Sequence, residues 1–372
     1  MPALIDGKYE VLEKLKEGGM GAIFRVRHVL LDEIRVIKTM RPQIEDDPEA
    51  RKRFFREAKM ATNLRHPNVA AMLDFVSEGD SFYMVMEFID GVNLAEYVAE
   101  KGPPSLVTAL EIGAQALDAL GYLHKRGIVH RDVSPENLML TREPGGELRV
   151  KLIDLGVAKE AEGEGLTATG MFVGKLKYGS PEQLGVLKKN EKMDGRSDLY
   201  SMGCVLFLLL TGQPAVEAET PQAYIVKHTR MPPRSFDEVD ASHKVPDDVR
   251  EIVLKALARS RDDRWPTAED FASALRAARD RLLDGPTMPP SADLWISQLP
   301  MPGATGATIA TVEPETIKVD PPFPTRNTSI AAPERPAPRR DPVAREESRF
   351  PRRALVVGGA TLAVIAIAIA GA

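Results

Sequence analysis

The stretch His130-Arg131-Asp132-Val133-Ser134-Pro135-Glu136-Asn137 and the later tripeptide Asp154-Leu155-Gly156 carry most of the chemical information in this chain. Asp132, Asn137 and Asp154 offer hard oxygen donors, which are the ligands that Mg²⁺ prefers. Phosphoryl transfer needs a positioned triphosphate, a metal that neutralises its charge and an acceptor hydroxyl held in line. The two segments therefore predict a site that holds Mg²⁺-ATP beside a hydroxyl.

Two further elements of such a site precede these segments. Lys16-Glu17-Gly18-Gly19-Met20-Gly21 lies between strand-like segments, where a glycine-rich hairpin lets backbone N–H groups approach phosphates. Alternating apolar residues predict strands at 22–26 and at 35–38, the second of which ends at Lys38. A helix is then predicted to begin at Asp47-Pro48, with Glu57 at the edge of its apolar face.

In this order, the motifs between about Tyr9 and Leu283 resemble the eukaryotic-like (Hanks-type) serine/threonine protein kinases, and within them the bacterial branch. The resemblance covers about three quarters of the chain. It implies an α+β, bilobal protein-kinase fold. A small strand-rich lobe is expected at 9–89 and a larger helical lobe at 90–283, after an N-terminal lead at 1–8.

The resemblance also implies roles for the residues quoted above. Asp132 matches the catalytic carboxylate that orients the substrate hydroxyl, and Asn137 and Asp154 match the two metal ligands. Lys38 matches the strand lysine that contacts the α- and β-phosphates, with Glu57 as its ion-pair partner. The expected cofactors are ATP and Mg²⁺, with Mn²⁺ as an alternative metal.

Nucleotide contacts are implied in the small lobe as well. The run from Phe82 to Gly91 resembles the interlobe hinge, which makes Met86 the gatekeeper and lets the backbones of Glu87 and Ile89 bond adenine. Val36 stands where the family has an alanine above adenine. The glycines expected to cover the nucleotide are Gly18, Gly19 and Gly21.

Three residues depart from the family pattern. Lys16 replaces the first glycine of the loop, Ser134 replaces a catalytic-loop lysine, and Lys175 replaces a threonine in the activation segment. One hypothesis is a swap in which Lys175 reaches toward Asp132 and the γ-phosphate, supplying the charge that Ser134 lacks. A weakened site, and with it a pseudokinase that serves as a binding module, is the alternative. A tyrosine or small-molecule kinase is also left open.

Other residues are expected to regulate or stabilise the large lobe. Thr167 and Thr169 form a Thr-x-Thr arrangement that resembles bacterial autophosphorylation sites, and Arg131 could pair with a phosphate placed there. Protein Ser/Thr hydroxyls are the expected substrates, and a homodimer for phosphorylation in trans is compatible with this interpretation. Structural roles are implied for the pair Glu182 and Arg264 and for Asp198.

Composition limits the remaining possibilities. The chain has 372 residues and a net charge of −5, which does not indicate a nucleic-acid partner. Its single cysteine, Cys204, excludes a disulfide within the chain and lies in an apolar run, where a packed core thiol is expected.

The C-terminal part has a different composition. Between Pro286 and Pro351 lie 14 of the 29 prolines, so 284–353 is predicted to be a disordered, arginine-rich linker. Within it, Leu294-Trp295-Ile296 is expected to form an undocked turn, with docking on the kinase as the alternative. Residues 354–372 contain no charge and, as a helix, would span roughly 29 Å, which favours a transmembrane helix over a buried core helix. Arg352-Arg353 directly before it places the kinase in the cytoplasm, on a single-pass protein of the inner (plasma) membrane.

Overall fold

The computed structural model describes residues 4–17, 21–39, 48–78, 81–154, 176–186, 191–284 and 299; within the helix that starts at Pro48, the side chains of 48–51, 53 and 57 are not described. Several predictions concern residues outside these ranges: Gly18, Gly19, Thr167, Thr169, Lys175, the motif 294–296 and the span 354–372.

The small lobe is built on a six-stranded antiparallel sheet with the order β1-β2-β3-β4-β6-β5. Its strands are β1 (Leu4–Ile5), β2 (Tyr9–Glu17), β3 (Ala22–His28), β4 (Glu33–Thr39), β5 (Met72–Glu78) and β6 (Ser81–Glu87). β3 and β4 contain the two predicted strands. Val26 and Ile37 are fully buried on one face of this sheet. This fits the predicted strands, because successive side chains of a strand point to opposite faces.

One helix, α1 (Pro48–Ala61), packs on the same sheet. It begins at Pro48, as predicted, because proline suits the first helical position, where no intrahelical N–H partner is needed. Phe54, Ala58 and Ala61 repeat at helical spacing and are buried against Phe82 and its neighbours. The predicted apolar face is therefore confirmed.

The large lobe is helical. Its helices are α2 (Leu94–Lys101), α3 (Leu106–His124), α4 (Arg196–Thr211), α5 (Pro221–Arg230), α6 (Phe236–Val239), α7 (Asp247–Ala256) and α8 (Ala268–Asp284). Among the described residues, α3 alone is long and apolar enough to cross a membrane, yet most of it is buried in the core of this lobe. Cys204 on α4 is buried in the same core, as predicted, and burial raises the pKa of its thiol.

A small sheet positions the polar residues between the lobes. Its strands β7 (Gly91–Asn93), β8 (Leu138–Arg142) and β9 (Leu148–Leu152) pair in that order. β8 follows directly on the 3₁₀ turn Pro135–Asn137, and Leu138 pairs with Leu152. This register brings the turn beside the residues that follow β9, among them Asp154.

Leu299 lies in the stretch whose composition predicts an extended linker, but its side chain is buried with the core of the helical lobe. A large apolar side chain is more stable out of water, so the chain packs on the lobe at this point. Leu299 is the one residue beyond 284 that the structure describes.

Candidate active site

Asp198 on α4, whose side chain is almost completely buried, supports the catalytic loop, residues 130–137. Its Oδ2 accepts a hydrogen bond from the backbone N–H of His130 (2.8 Å), and its Oδ1 accepts one from the backbone N–H of Arg131 (2.7 Å). His124 Nε2 lies 2.8 Å from Oδ2. Arg131 has a left-handed backbone (φ 63°), a conformation that costs a non-glycine residue energy and needs such external support.

Within the loop, the amide of Asn137 is fixed by its neighbours. Its Nδ2 donates to the carbonyl oxygen of Asp132 (2.7 Å), and its backbone N–H donates to the carbonyl oxygen of Ser134 (3.1 Å). Since the amide nitrogen faces Asp132, the side-chain oxygen of Asn137 is the atom left for a ligand. The backbone carbonyl of Asn137 also accepts a hydrogen bond from the backbone N–H of Ile153 (2.9 Å). Asp154, the next residue in the chain, therefore lies close to Asn137.

Asp154 and Lys38 join the two lobes. Lys38 Nζ lies 3.1 Å from Asp154 Oδ1, although the two residues are 116 positions apart in the chain. The Lys38 ammonium lowers the pKa of the Asp154 carboxyl, so that group is ionised at neutral pH. Asp154 also has a left-handed backbone (φ 55°). The predicted partner Glu57 lies on α1, but its side chain is outside the described part of the helix.

The side-chain oxygens of Asn137 and Asp154 fit a Mg²⁺ ion that also takes ligands from water and substrate. Among the described residues, no group of three or more His, Cys, Asp or Glu side chains could hold a metal. A site built from Asn137 and Asp154 is therefore incomplete without ligands from water or substrate. Mg²⁺ usually binds in this manner, through one or two side-chain oxygens plus waters and substrate phosphates.

The residues predicted to form the hinge lie on and directly after β6. Val36 on β4 pairs with Met86 on β6, so both side chains project from the same face of the sheet. The backbone N–H of Glu87 donates to the Ala71 carbonyl (3.0 Å), which leaves only the carbonyl oxygen of Glu87 for the predicted contact with adenine. Ile89 follows β6 and is partly buried.

The side chain of Glu87 also connects the lobes, which its position in the sequence did not indicate. Lys151 Nζ on β9 lies 2.8 Å from both carboxylate oxygens of Glu87, and Glu87 Oε1 accepts from the backbone N–H of Ala71 (2.7 Å). The hinge motif assigns a role only to the backbone of Glu87, Lys151 belongs to no motif, and the two residues are 64 positions apart. No local pattern could have identified this pair.

The large lobe contains the predicted ion pair. Arg264 is completely buried and binds both carboxylate oxygens of Glu182 at 2.7 and 2.9 Å. Beside Glu182, the side chain of Gln183 donates to the carbonyl oxygen of Arg131 (2.8 Å). Gln183 thus links the chain after Glu182 to the loop that contains Arg131, a role that the sequence alone did not indicate.

Comparison with known proteins agrees with this geometry. Residues 9–274 match the family model described as protein kinase domain. The chain therefore belongs to the protein kinase family, and the predicted resemblance to its bacterial serine/threonine branch is confirmed.

Among the relatives is the serine/threonine-protein kinase PknB of Mycolicibacterium smegmatis, 35% identical over 317 residues, which are 83% of this chain and 49% of that protein. The serine/threonine-protein kinase PrkC of Bacillus subtilis is 34% identical over 278 residues, 74% of this chain and 41% of that protein. The chain spans about half the length of these relatives or less. A solved structure, the PknI kinase domain of Mycobacterium tuberculosis, covers 73% of this chain and 96% of its own, with a TM-score of 0.55 and 25% identity. The bilobal kinase fold is thereby confirmed.

Proposed function

We propose that this chain is a serine/threonine protein kinase that transfers the γ-phosphate of ATP to Ser or Thr hydroxyls of proteins. The observation that carries this proposal is the contact between Lys38 and Asp154, made across the cleft at 3.1 Å. This contact joins the small-lobe lysine that we propose binds phosphate to the large-lobe carboxylate that we propose binds the metal. Catalysis of phosphoryl transfer consists largely of such positioning and charge stabilisation.

Each residue of the chain has a distinct task in this proposal. Asp132 orients the acceptor hydroxyl and takes its proton. Lys38 binds the α- and β-phosphates, and the hinge residues Glu87 and Ile89 bind adenine through their backbones. Asn137 and Asp154 would hold Mg²⁺, which neutralises phosphate charge when it is bound.

The proposal extends to residues outside the described ranges. Lys175 is proposed to supply charge near the γ-phosphate, since Ser134 in the catalytic loop is buried and uncharged. Thr167 and Thr169 are proposed sites of activating autophosphorylation, with Arg131 as the cation that pairs with the phosphate. In the Lys175 hypothesis, Lys175→Ala should slow turnover, and Ser134→Lys combined with Lys175→Thr should restore part of it.

A membrane anchor at 354–372 is also part of the proposal, with the kinase on the cytoplasmic side. Its support is the uncharged composition of that segment and the arginines that precede it. Deletion of 354–372 should move the protein to the soluble fraction without lowering its rate on a peptide substrate. An intact chain recovered wholly in the soluble fraction would contradict the anchor.

The central test is transfer of labelled phosphate from Mg²⁺-ATP by the full chain, followed by phosphoamino-acid analysis. We expect phosphoserine and phosphothreonine from the wild type, and none from Lys38→Met or Asp154→Asn. Lys14→Met, a change of the same kind on an exposed lysine of β2 paired with Glu17, serves as the control. A rate above about a tenth of wild type in either site variant, a barrier change below roughly 1.4 kcal/mol, would show that the site is wrongly assigned. Phosphotyrosine alone would identify a different specificity.

A further inference from the structure

Lys16, near the end of β2, lies on the same face of the small-lobe sheet as Lys38. In the antiparallel sheet, Lys16 lies opposite Ile23 of β3, and Ile23 lies opposite Lys38 of β4. Directly opposed residues of antiparallel strands have their side chains on the same face of the sheet. Since the Lys38 side chain reaches Asp154, this is the face that lines the cleft, and Lys16 shares it.

The neighbouring Lys14 lies on the other face. It is opposite Phe24, which is opposite Ile37, and these apolar residues belong to the core on the far side of the sheet. Residues two apart in a regular strand would share a face. Here the register shifts between Lys14 and Lys16, and this irregularity turns Lys16 toward the cleft.

Lys16 and Lys14 differ in their surroundings. Its side chain is exposed, and in the described parts of the chain it makes no hydrogen bond or ion pair, whereas Lys14 binds Glu17 at 2.9 Å. Lys16 therefore presents an exposed ammonium on the face of the sheet that also carries Lys38.

We propose that Lys16 binds the phosphates of the bound nucleoside triphosphate, as a second cation beside Lys38 on the cleft face of the sheet. The two lysines are separated by one intervening strand, so their backbones are roughly 10 Å apart, a spacing from which two long side chains can reach one triphosphate. This inference rests on the proposed kinase function. It deepens that function by adding a phosphate contact from the residue that stands in place of a glycine.

The test is nucleotide binding by the full chain, measured by titration calorimetry with ATP, ADP and adenosine in the presence of Mg²⁺. Lys16→Gln should weaken ATP binding about five- to twentyfold, as expected for loss of a solvent-exposed contact to a charged group, and the loss should shrink at high salt. Adenosine has no phosphates, so its affinity should change by less than about twofold in the same variant. Lys16→Arg keeps the charge and should stay closer to wild type than Lys16→Gln.

Lys14→Gln is the matched control, because it removes the same charge from the same strand on the opposite face; it should bind ATP like wild type. Equal losses for ATP and adenosine in Lys16→Gln would show a distorted loop and overturn the inference. Wild-type ATP affinity in Lys16→Gln, with a loss in Lys38→Met, would overturn the role of Lys16 and leave the kinase proposal intact. If the wild-type chain bound no Mg²⁺-ATP, both proposals would be wrong.

Discussion

Replacement of Asp198 by asparagine should destabilise the protein and slow phosphoryl transfer together. The two carboxylate oxygens accept separate hydrogen bonds, Oδ2 from the backbone N–H of His130 and Oδ1 from that of Arg131, at 2.8 and 2.7 Å. An amide has only one oxygen, so its NH₂ group must face one of these N–H donors. The variant therefore loses at least one hydrogen bond to a charged acceptor and leaves a donor unsatisfied in a buried place.

The size of this effect follows from the geometry. A hydrogen bond to a charged group contributes about 1.5–3 kcal/mol, and an unsatisfied buried donor costs about 1–3 kcal/mol. These contributions overlap, so we expect a loss of roughly 2–4 kcal/mol. For a domain of this size, that corresponds to a melting temperature lower by about 4–16 °C. Arg131 also loses support for its left-handed backbone, so Asp132 beside it should be misplaced and kcat should fall about 10- to 100-fold.

Thermal unfolding followed by circular dichroism, and kcat at saturating ATP, measure the two effects. Asp262→Asn is the matched control, because its carboxylate is 81% exposed and pairs with Arg196 at 2.7 Å. Exposed pairs contribute less than about 1 kcal/mol, so the control should behave like wild type. If Asp198→Asn melted and turned over like the control, the catalytic loop would not depend on this carboxylate.

Two further predictions concern pH and the hinge. His228 is buried beside the Tyr200 hydroxyl, and burial lowers its pKa to about 4. In the unfolded chain, the same imidazole takes up a proton near pH 6.5. His228 therefore does not lower the free energy of unfolding above pH 6.5. Between pH 6.5 and 4 only the unfolded chain is protonated there, and the free energy of unfolding falls by roughly 3 kcal/mol. His228→Gln should flatten the acid side of a plot of unfolding midpoint against pH; an unchanged slope would contradict the prediction. Lys151→Met and Glu87→Gln each break the ion pair behind the hinge, which is only partly exposed. Each should raise the KM for ATP about two- to fivefold and lower the free energy of unfolding by about 1–3 kcal/mol, because the remaining partner loses its hydrogen bond in a mostly buried place. The double variant should resemble either single variant, because the pair acts as one unit, and additive effects would exclude that coupling.

What the sequence by itself determined is the chemistry that depends on short spacing. Asn137 lies five positions after Asp132, and the turn between them brings its amide onto the Asp132 carbonyl. The apolar face of α1 and its start at Pro48 follow in the same way from helical periodicity and local backbone geometry. The order of such local motifs was enough to predict the bilobal kinase fold.

Tertiary structure alone decided which of these residues meet. Lys38 contacts Asp154, and Lys151 contacts Glu87, because two sheets and a hinge bring distant strands together; spacing along the chain does not encode such contacts. The sheet face on which Lys16 lies could not be predicted from the sequence either. Regular alternation of side chains along a strand would place Lys16 on the same face as Lys14. One shift of register in β2 reverses that assignment, and a shift of register is visible only when the neighbouring strand is in place.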